Sequence, residues 1–395
     1  MYEDKKIIVY VTGGIAAYKA ATLVRTLIKA GATVRVAMTR SAQTFITPLT
    51  FATLTKQAVL TDDWQADGTV PHIEWAQWAD FHFVVPATAN VLAKMANGIA
   101  DDMVTTTLLA AVGDKIVAPA MNDHMWDHPA TQRNLAQLIA DGVLVIAPTV
   151  GFLAEGYEAR GRLAEPEEIV AQAGVRLLAR HGQLQGKRVV ITAGGTQEKL
   201  DPVRYLTNRS SGKMGYALAQ AAAEAGAEVT LITTVVRDAI FGVKVIEVQS
   251  AQMMYDAVLA AFETADILIA AAAVSDFRPV DVADNKIKKN GNGGLTIELV
   301  QNPDILAAVG AAKRANQFVV GFAAETQDVA NYAKDKLRKK NANLLIANDV
   351  SRADAGFEVD TNQVTLFTEN EQITLPLASK LATAREIIAF IANKI

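Results

Sequence analysis

The 395-residue sequence contains no cysteine. Disulfides, Cys-ligated zinc and a cysteine nucleophile are therefore excluded. Histidine is scarce. His72, His82, His124, His128 and His181 are the whole set, no HExxH motif is present, and no structural metal site is expected. Charge of one sign is missing as well. A net charge of −4, with acids and bases interspersed, provides no field to recruit nucleic acid or an anionic membrane as the main partner. No apolar run reaches the roughly 20 residues that cross a bilayer, and the opening MYEDKK has no signal-peptide core. The expectation is a cytoplasmic protein without a membrane partner. Both GxxxxGK[ST] and GxGxxG are absent, which removes the P-loop and the nicotinamide-dinucleotide fingerprint.

What is present is an alternation of short apolar runs with helical patterns. IIVYV, TVRVAM, FHFVVPA, KIVAPA and VLVIAP form one series. RVVITA, EVTLIT, VKVIEV, DILIAAAAV, QFVVGFAA, NLLIAN and QVTLF form a second. Such alternation predicts an α/β protein with two Rossmann-like domains, each a mainly parallel sheet with helices on both faces. The polar stretch His181–Lys187 separates them, giving domains 1–181 and 187–395. Both series open alike: an apolar strand, a Gly-Gly turn, an amphipathic helix and a second strand. Open α/β sheets bind ligands at such strand ends, so two sites are expected. The basic, Gly-rich NKIKKNGNGG, Asn285–Gly294, reads as a flexible flap.

In VTGGIAAYK, Gly13 and Gly14 allow a tight turn and close backbone approach, and the helix start behind them favours an anionic group. MTRSAQTFI places Thr39, Arg40 and Ser41 after the second strand, and PATAN places Thr88 and Asn90 after the next. Hydroxyls and amides at three strand ends read as a mononucleotide site. In PHIEWAQWAD, His72 begins a helix, where packing between Trp75 and Trp78 and contact with a ligand both stay open. In PAMNDHMW, Asn122 follows a strand and by itself reads as a turn residue beside a Met/Trp plug.

Together, in order and spacing, GGIAAYK, PHIEWAQWAD, PATAN and PAMNDHMW resemble the flavoprotein family of peptidyl-cysteine and phosphopantothenoylcysteine decarboxylases, from about Lys5 to Ile169. The resemblance implies FMN, bound between subunits of a trimer at Gly13, Gly14, Thr39, Ser41, Thr88 and Asn90. It implies that His72 lies at the flavin and the substrate carboxylate, and that Asn122 holds that carboxylate. The implied chemistry oxidises the substrate's cysteine thiol towards a thioaldehyde, after which CO₂ departs to leave an ene-thiol. One position departs from the family pattern. The loop GFLAEGYEARGR has Glu155 where the phosphopantothenoylcysteine branch has a proton-donating Cys. Glu155 would serve only if burial raised its pKa well above about 4.3. Tyr157 and water are the other donors, and a reaction that stops at the ene-thiol is a further outcome.

The second opening is longer. TAGGTQEKLDPVRYLTNRSSGKMG sets Thr192, Gly194, Gly195 and Thr196 on the turn, and Asp201-Pro202 and Arg204 in an extended insertion. Ser210, Ser211 and Gly212 then begin a helix, as an ordinary N-cap or as a phosphate cradle. Asp276 follows four alanines, either capping a turn or holding Mg²⁺ against phosphates. KIKK, NPDIL, GFAAET and KLRKKNANLLIANDV add basic and small residues at further strand ends. Their convergence on one sheet edge argues for a nucleoside triphosphate.

These motifs resemble phosphopantothenate–cysteine ligases of the bacterial, CTP-using type, from about Gly186 to Ile395, and the whole chain is similar to fused bifunctional enzymes of coenzyme A biosynthesis. The resemblance implies that CTP and Mg²⁺ activate the 4′-phosphopantothenate carboxylate as an acyl-cytidylate, and that cysteine then displaces CMP. Decarboxylation of the product would give 4′-phosphopantetheine. Ala270, Ala271, Ala272 and Phe322 would line the cytidine pocket. Asp276, Lys286, Pro303, Asp304, Ile305, Leu306, Lys336 and Lys340 would also contact CTP. Asn208 would hold the acyl intermediate, and Arg204 would support the second step across a dimer. Trimeric first domains and dimeric second domains would make a homo-oligomer, in the limit a dodecamer. The alternative is an active ligase joined to a non-catalytic, flavin-binding regulatory module.

Overall fold

Ile7 to Val11 are wholly buried, without the polar alternation of a one-sided sheet. That is the signature of a parallel strand covered on both faces. The computed structural model describes residues 1–62, 70–288, 294–325, 329–349 and 359–395, so half of the predicted flap, residues 289–293, lies outside the described residues. The chain divides into two units, Met1–Arg176 and Leu177–Ile395.

The first unit has six parallel strands: β1 (Lys6–Val11), β2 (Thr33–Met38), β3 (Val59–Leu60), β4 (Phe81–Ala87), β5 (Asp114–Pro119) and β6 (Leu144–Val145). Their order is β3-β2-β1-β4-β5-β6. The chain reverses its direction of travel between β1 and β4, which opens a crevice at the carboxyl ends of those strands. An antiparallel hairpin, Thr149–Phe152 with Glu158–Arg162, follows β6. Leu23, Val24 and Leu27 form the buried stripe of the helix Lys19–Lys29.

The second unit repeats the plan with β7 (Arg188–Ala193), β8 (Glu228–Thr233), β9 (Val243–Glu247), β10 (Ile267–Ala270), β11 (Phe318–Glu325), β12 (Leu344–Asp349), β13 (Val364–Phe367) and β14 (Gln372–Thr374). The order is β9-β8-β7-β10-β11-β12-β13-β14. Pairing is parallel through β12 and antiparallel for β13 and β14. Ile191 stands opposite both Leu231 and Ile269, which fixes the register at the central strand. Val190, Ile232, Leu268 and Val319 meet Met254, Val258 and Phe262 of the helix Ala251–Phe262 in one apolar cluster. Gly215 sets how closely the helix Lys213–Glu224 approaches β7, because an added Cβ would lie 2.5 Å from the Cβ of Ala193. The two Rossmann-like sheets predicted from the apolar runs are both present. Among the described residues no helix is long and apolar enough to cross a membrane.

Candidate active sites

In the second unit the turn after β7 is stitched to the turn after β10. The Thr192 hydroxyl accepts from the Ala272 N–H at 3.1 Å, and the Thr196 hydroxyl from the Ser275 N–H at 2.9 Å. The Ala273 N–H donates to the Gly194 carbonyl at 2.8 Å, with Gly194 at φ +86°. These hydroxyls thus brace the two loops against each other. Asn208 belongs to the same layer, donating its amide to the Val274 carbonyl at 3.1 Å.

Above this layer lies a cavity of about 970 Å³. Ala270, Ala271, Ala272, Asp276 and Asn208 line it from the β10 side. Pro303, Asp304, Ile305, Leu306, Phe322, Lys336 and Lys340 line it from the β11 side. Asp304 caps the helix Ile305–Ala312, accepting from the Ala307 N–H at 2.9 Å, and also pairs with Lys340. Burial alone would push the Asp304 carboxyl up, but the bonds from Lys340 and Ala307 outweigh it and hold it below the usual range. The helix Lys213–Glu224 begins at Gly212, φ +71°, with no side-chain cap, and its first residues Lys213, Met214 and Gly215 line the cavity. Uncapped N–H groups at such a terminus suit phosphate oxygens.

Two residues expected to serve the reaction lie outside this lining. Lys286 is exposed and is not among the lining residues. Arg204 also lies off the lining, its guanidinium 2.6 and 3.0 Å from Asp201 Oδ2. Among the lining residues that the sequence did not mark as ligand contacts are Lys213, Asn348, Asn362 and Lys380. Asn348 is nine-tenths buried, and its Oδ1 has no hydrogen-bond partner among the described residues. Lys380 is buried and donates to the Val359 carbonyl at 2.5 Å, while Lys213 pairs with Asp360 at 2.6 Å. Burial first, and Lys213 second, pull the Lys380 ammonium below its ordinary value. Lys213 and Asn348 sit inside motifs already noted, SSGKMG and NLLIAN, whereas nothing local marks Lys380.

In the first unit the turn after β1 meets the turns after β2 and β4. A Cβ on Gly13 would lie 2.4 Å from Ser41 Oγ, so glycine alone permits that approach. A Cβ on Gly14 would meet only Thr88 Cγ2, at 3.9 Å, which leaves that backbone face open. Thr39 and Ser41 share a hydroxyl contact of 3.1 Å, and the Thr88 N–H donates to the Thr12 hydroxyl at 3.2 Å. Thr88 caps the helix Ala89–Asn97, and Ser41 and Asn90 are exposed. An open glycine backbone beside exposed hydroxyl and amide groups fits a phosphorylated, planar ligand.

Asn122 Oδ1 accepts from the His124 N–H at 2.9 Å, which turns the amide nitrogen outward. That nitrogen donates to Glu155 Oε1 at 3.0 Å and to the Tyr157 oxygen at 2.9 Å. The Tyr157 hydroxyl in turn donates to Asp123 Oδ1 at 2.6 Å. This bond is the main cause of an Asp123 pKa below, and a Tyr157 pKa above, their ordinary values. Glu155 is exposed. His72 lies half-buried in the first turn of the helix Pro71–Trp78. The tryptophans Trp75 and Trp78 hold the Arg35 guanidinium, 5.2 and 4.3 Å from the two ring centroids. Among the described residues no cluster of three or more His, Asp or Glu is arranged to hold a metal ion, so Asp276 would need ligand oxygens to complete a site.

Residues 1–177 match the family described as Flavoprotein, and residues 184–395 the family described as DNA/pantothenate metabolism flavoprotein C-terminal domain. The chain is 50% identical to the coenzyme A biosynthesis bifunctional protein CoaBC of Bacillus subtilis (strain 168), over 99% of this chain and 98% of that one. The chain belongs to the CoaBC family. It is accordingly a two-activity enzyme of coenzyme A biosynthesis, a flavoprotein decarboxylase and a ligase, as the motifs led one to expect. The CoaBC protein of Vibrio cholerae serotype O1 (strain ATCC 39315 / El Tor Inaba N16961) is 48% identical, over 98% of each chain. A crystal structure of the C-terminal domain of a CoaBC protein is 43% identical, covering 54% of this chain and 97% of that chain, with a TM-score of 0.46.

Proposed function

We propose that residues 187–395 condense 4′-phosphopantothenate with cysteine at the cost of CTP, and that residues 1–181 decarboxylate the product with FMN. The observation that carries the ligase half is the single cavity. It gathers the four cytidine-pocket residues, the Pro303–Leu306 turn, two lysines and Asn208 around the uncapped terminus of the helix Lys213–Glu224. Small alanines admit a base and ribose against backbone. The helix N–H groups, with Lys213, Lys336 and Lys340, face the phosphates. Asp276 would hold Mg²⁺, which neutralises charge on the phosphate oxygens. The substrate carboxylate attacks the α-phosphorus and pyrophosphate leaves. Cysteine's amine then attacks the acyl carbon beside Asn208, and CMP leaves. Lys286 stabilises the negative charge that builds at phosphorus in the first step.

In the first unit FMN would rest on Gly13, Gly14, Thr39, Ser41, Thr88 and Asn90. Bound there, it supplies two-electron redox chemistry at the substrate's thiol. Asn122 orients the departing carboxylate with the amide N–H groups that now engage the Glu155 carboxylate. His72 completes the grip on that group. The Tyr157 hydroxyl is engaged as donor to Asp123, and Glu155 is the donor assigned to the ene-thiol step. Exposed in the single chain, Glu155 needs the cover of substrate and a neighbouring protomer to act as an acid. Exposed Ile15, Tyr18, Phe45 and Leu49, close in sequence to the Gly13 and Ser41 turns, are apolar surface that a trimer would cover. Paired ligase domains would extend the trimer to a dodecamer. The substrates are phosphorylated metabolites of the cytoplasm, and the enzyme is placed there.

Mass analysis of the product from 4′-phosphopantothenate, cysteine and CTP tests both halves. The expected product is the saturated thiol, 4′-phosphopantetheine. A Glu155→Gln enzyme should stop at the ene-thiol, two hydrogens lighter. Unchanged yield of the saturated thiol would remove Glu155 from the mechanism.

A further inference from the structure

Asp201 is buried in a loop of otherwise exposed residues, with no side-chain exposure at all. Its carboxylate collects five donors. Oδ1 accepts from the backbone N–H groups of Val203 and Arg204, both at 2.8 Å. Oδ2 accepts from Arg204 Nε at 3.0 Å, Arg204 Nη2 at 2.6 Å and the Ile287 N–H at 3.1 Å. Arg204 Nη2 also donates to the Ile287 carbonyl at 2.8 Å. Carboxylate and guanidinium thus grip both polar groups of one distant residue. A second tie, from the Ala283 N–H to the Leu200 carbonyl at 3.0 Å, holds the same segment four residues earlier. Between the two ties stands Lys286, exposed and bonded through its own peptide to the clamped Ile287.

We propose that Asp201 is a positioning residue for Lys286: with Arg204 it clamps Ile287 and so anchors the segment from which the adjacent lysine, off the cavity lining in this structure, reaches the nucleotide. The inference rests on the ligase reading above. A lysine on an exposed Gly-rich segment has little reason to sit in one place, and misplacing a charge-stabilising group by about 1 Å costs on the order of a hundredfold in rate. The clamp removes that freedom without occupying the cavity. Arg204 then acts in the first step through Ile287, whatever it does in the second.

The test uses Asp201→Asn in the full chain. An amide nitrogen in place of Oδ2 presents a donor to three donors and opens the clamp at nearly constant volume. Pyrophosphate release from CTP and 4′-phosphopantothenate should fall on the order of a hundredfold in kcat, with a much smaller change in the KM for CTP. The Asp201→Asn, Lys286→Gln double variant should be no slower than Lys286→Gln alone, because both remove one effect. Limited trypsin digestion read by mass should cut the Lys286–Ile287 bond faster in Asp201→Asn than in wild type. Arg204→Lys, which cannot grip Oδ2 and Ile287 together, carries the same cycle should Asp201→Asn not fold. The pyrophosphate step precedes the one in which Arg204 itself is expected. Wild-type kcat in Asp201→Asn, or losses that multiply in the double variant, overturns the clamp. If wild type releases no pyrophosphate, the ligase reading has failed, and the trypsin comparison alone decides the clamp: equal cleavage overturns it.

Discussion

Both units open a crevice at the same topological point with a glycine pair, yet the hydroxyls around the two turns are engaged differently. In the second unit Thr192 and Thr196 are spent on backbone N–H groups of the neighbouring loop. The cavity they frame is walled by alanines, the start of the helix Lys213–Glu224, lysines and the serines Ser210, Ser211 and Ser275. In the first unit Ser41 and Asn90 are exposed, and one face of Gly14 is open. A rigid frame with a charged cavity suits a triphosphate that must enter, react and leave. A hydroxyl-lined, open turn suits a ligand that stays and is closed over by another protomer. One topology thus frames two differently furnished sites.

The largest effect that sharpens this contrast belongs to the consumable nucleotide. Lys286→Gln should slow acyl-cytidylate formation by roughly a hundred- to a thousandfold while leaving 4′-phosphopantothenate binding nearly unchanged. Pyrophosphate release under single-turnover conditions reads it, and a wild-type kcat would remove the role. Next in size is an acid sensitivity of the first unit. His82 is fully buried against the Tyr10 hydroxyl at 2.9 Å, and burial first, Lys115 second, lower it from 6.5 to about 4. The unfolded chain binds the extra proton between those values, so stability is intact above about 6.5 and falls as pH drops towards 4. The loss is about 3 kcal/mol. All four tryptophans lie before residue 127, so tryptophan-detected urea unfolding between pH 7 and pH 4 follows this unit alone. A flat profile would contradict the buried neutral imidazole.

Smaller effects address the hydroxyls directly. Thr196→Val leaves the Ser275 N–H without its acceptor and should destabilise the second unit by about 1–3 kcal/mol, seen as a lower Tm. Ser41→Ala should leave the Tm of the first unit nearly unchanged and weaken flavin retention by roughly fivefold. Reversed outcomes, a stability loss at Ser41 and a ligand loss at Thr196, would break the contrast.

Much of this was legible in the sequence. Period and composition of the apolar runs predicted β1, β2, β4, β5, β6 and the strands of the second sheet through β13, because a buried parallel strand needs a continuous apolar run wherever it lies. Motif spacing led to the family and to Asn122, Phe322 and the Pro303–Leu306 turn, since these residues sit next to strand ends that sequence alone locates. Other features depended on partners far along the chain. Lys380 reaches the cavity from a helix near the chain end, and nothing within its own turn announces it. Trp75 and Trp78 hold Arg35, and Arg204 is clamped to Asp201. Tyr10 and His82 meet across paired strands, and Asp201 finds Ile287 across 86 residues. The sequence by itself determined the two sheets, their ligand-facing ends and the chemistry gathered there, because those follow from local periodicity and residue type. Only the tertiary structure decided which hydroxyls, carboxylates and cations face a ligand and which hold the frame, because hydrogen bonds between distant loops exist only once strand register has brought them together.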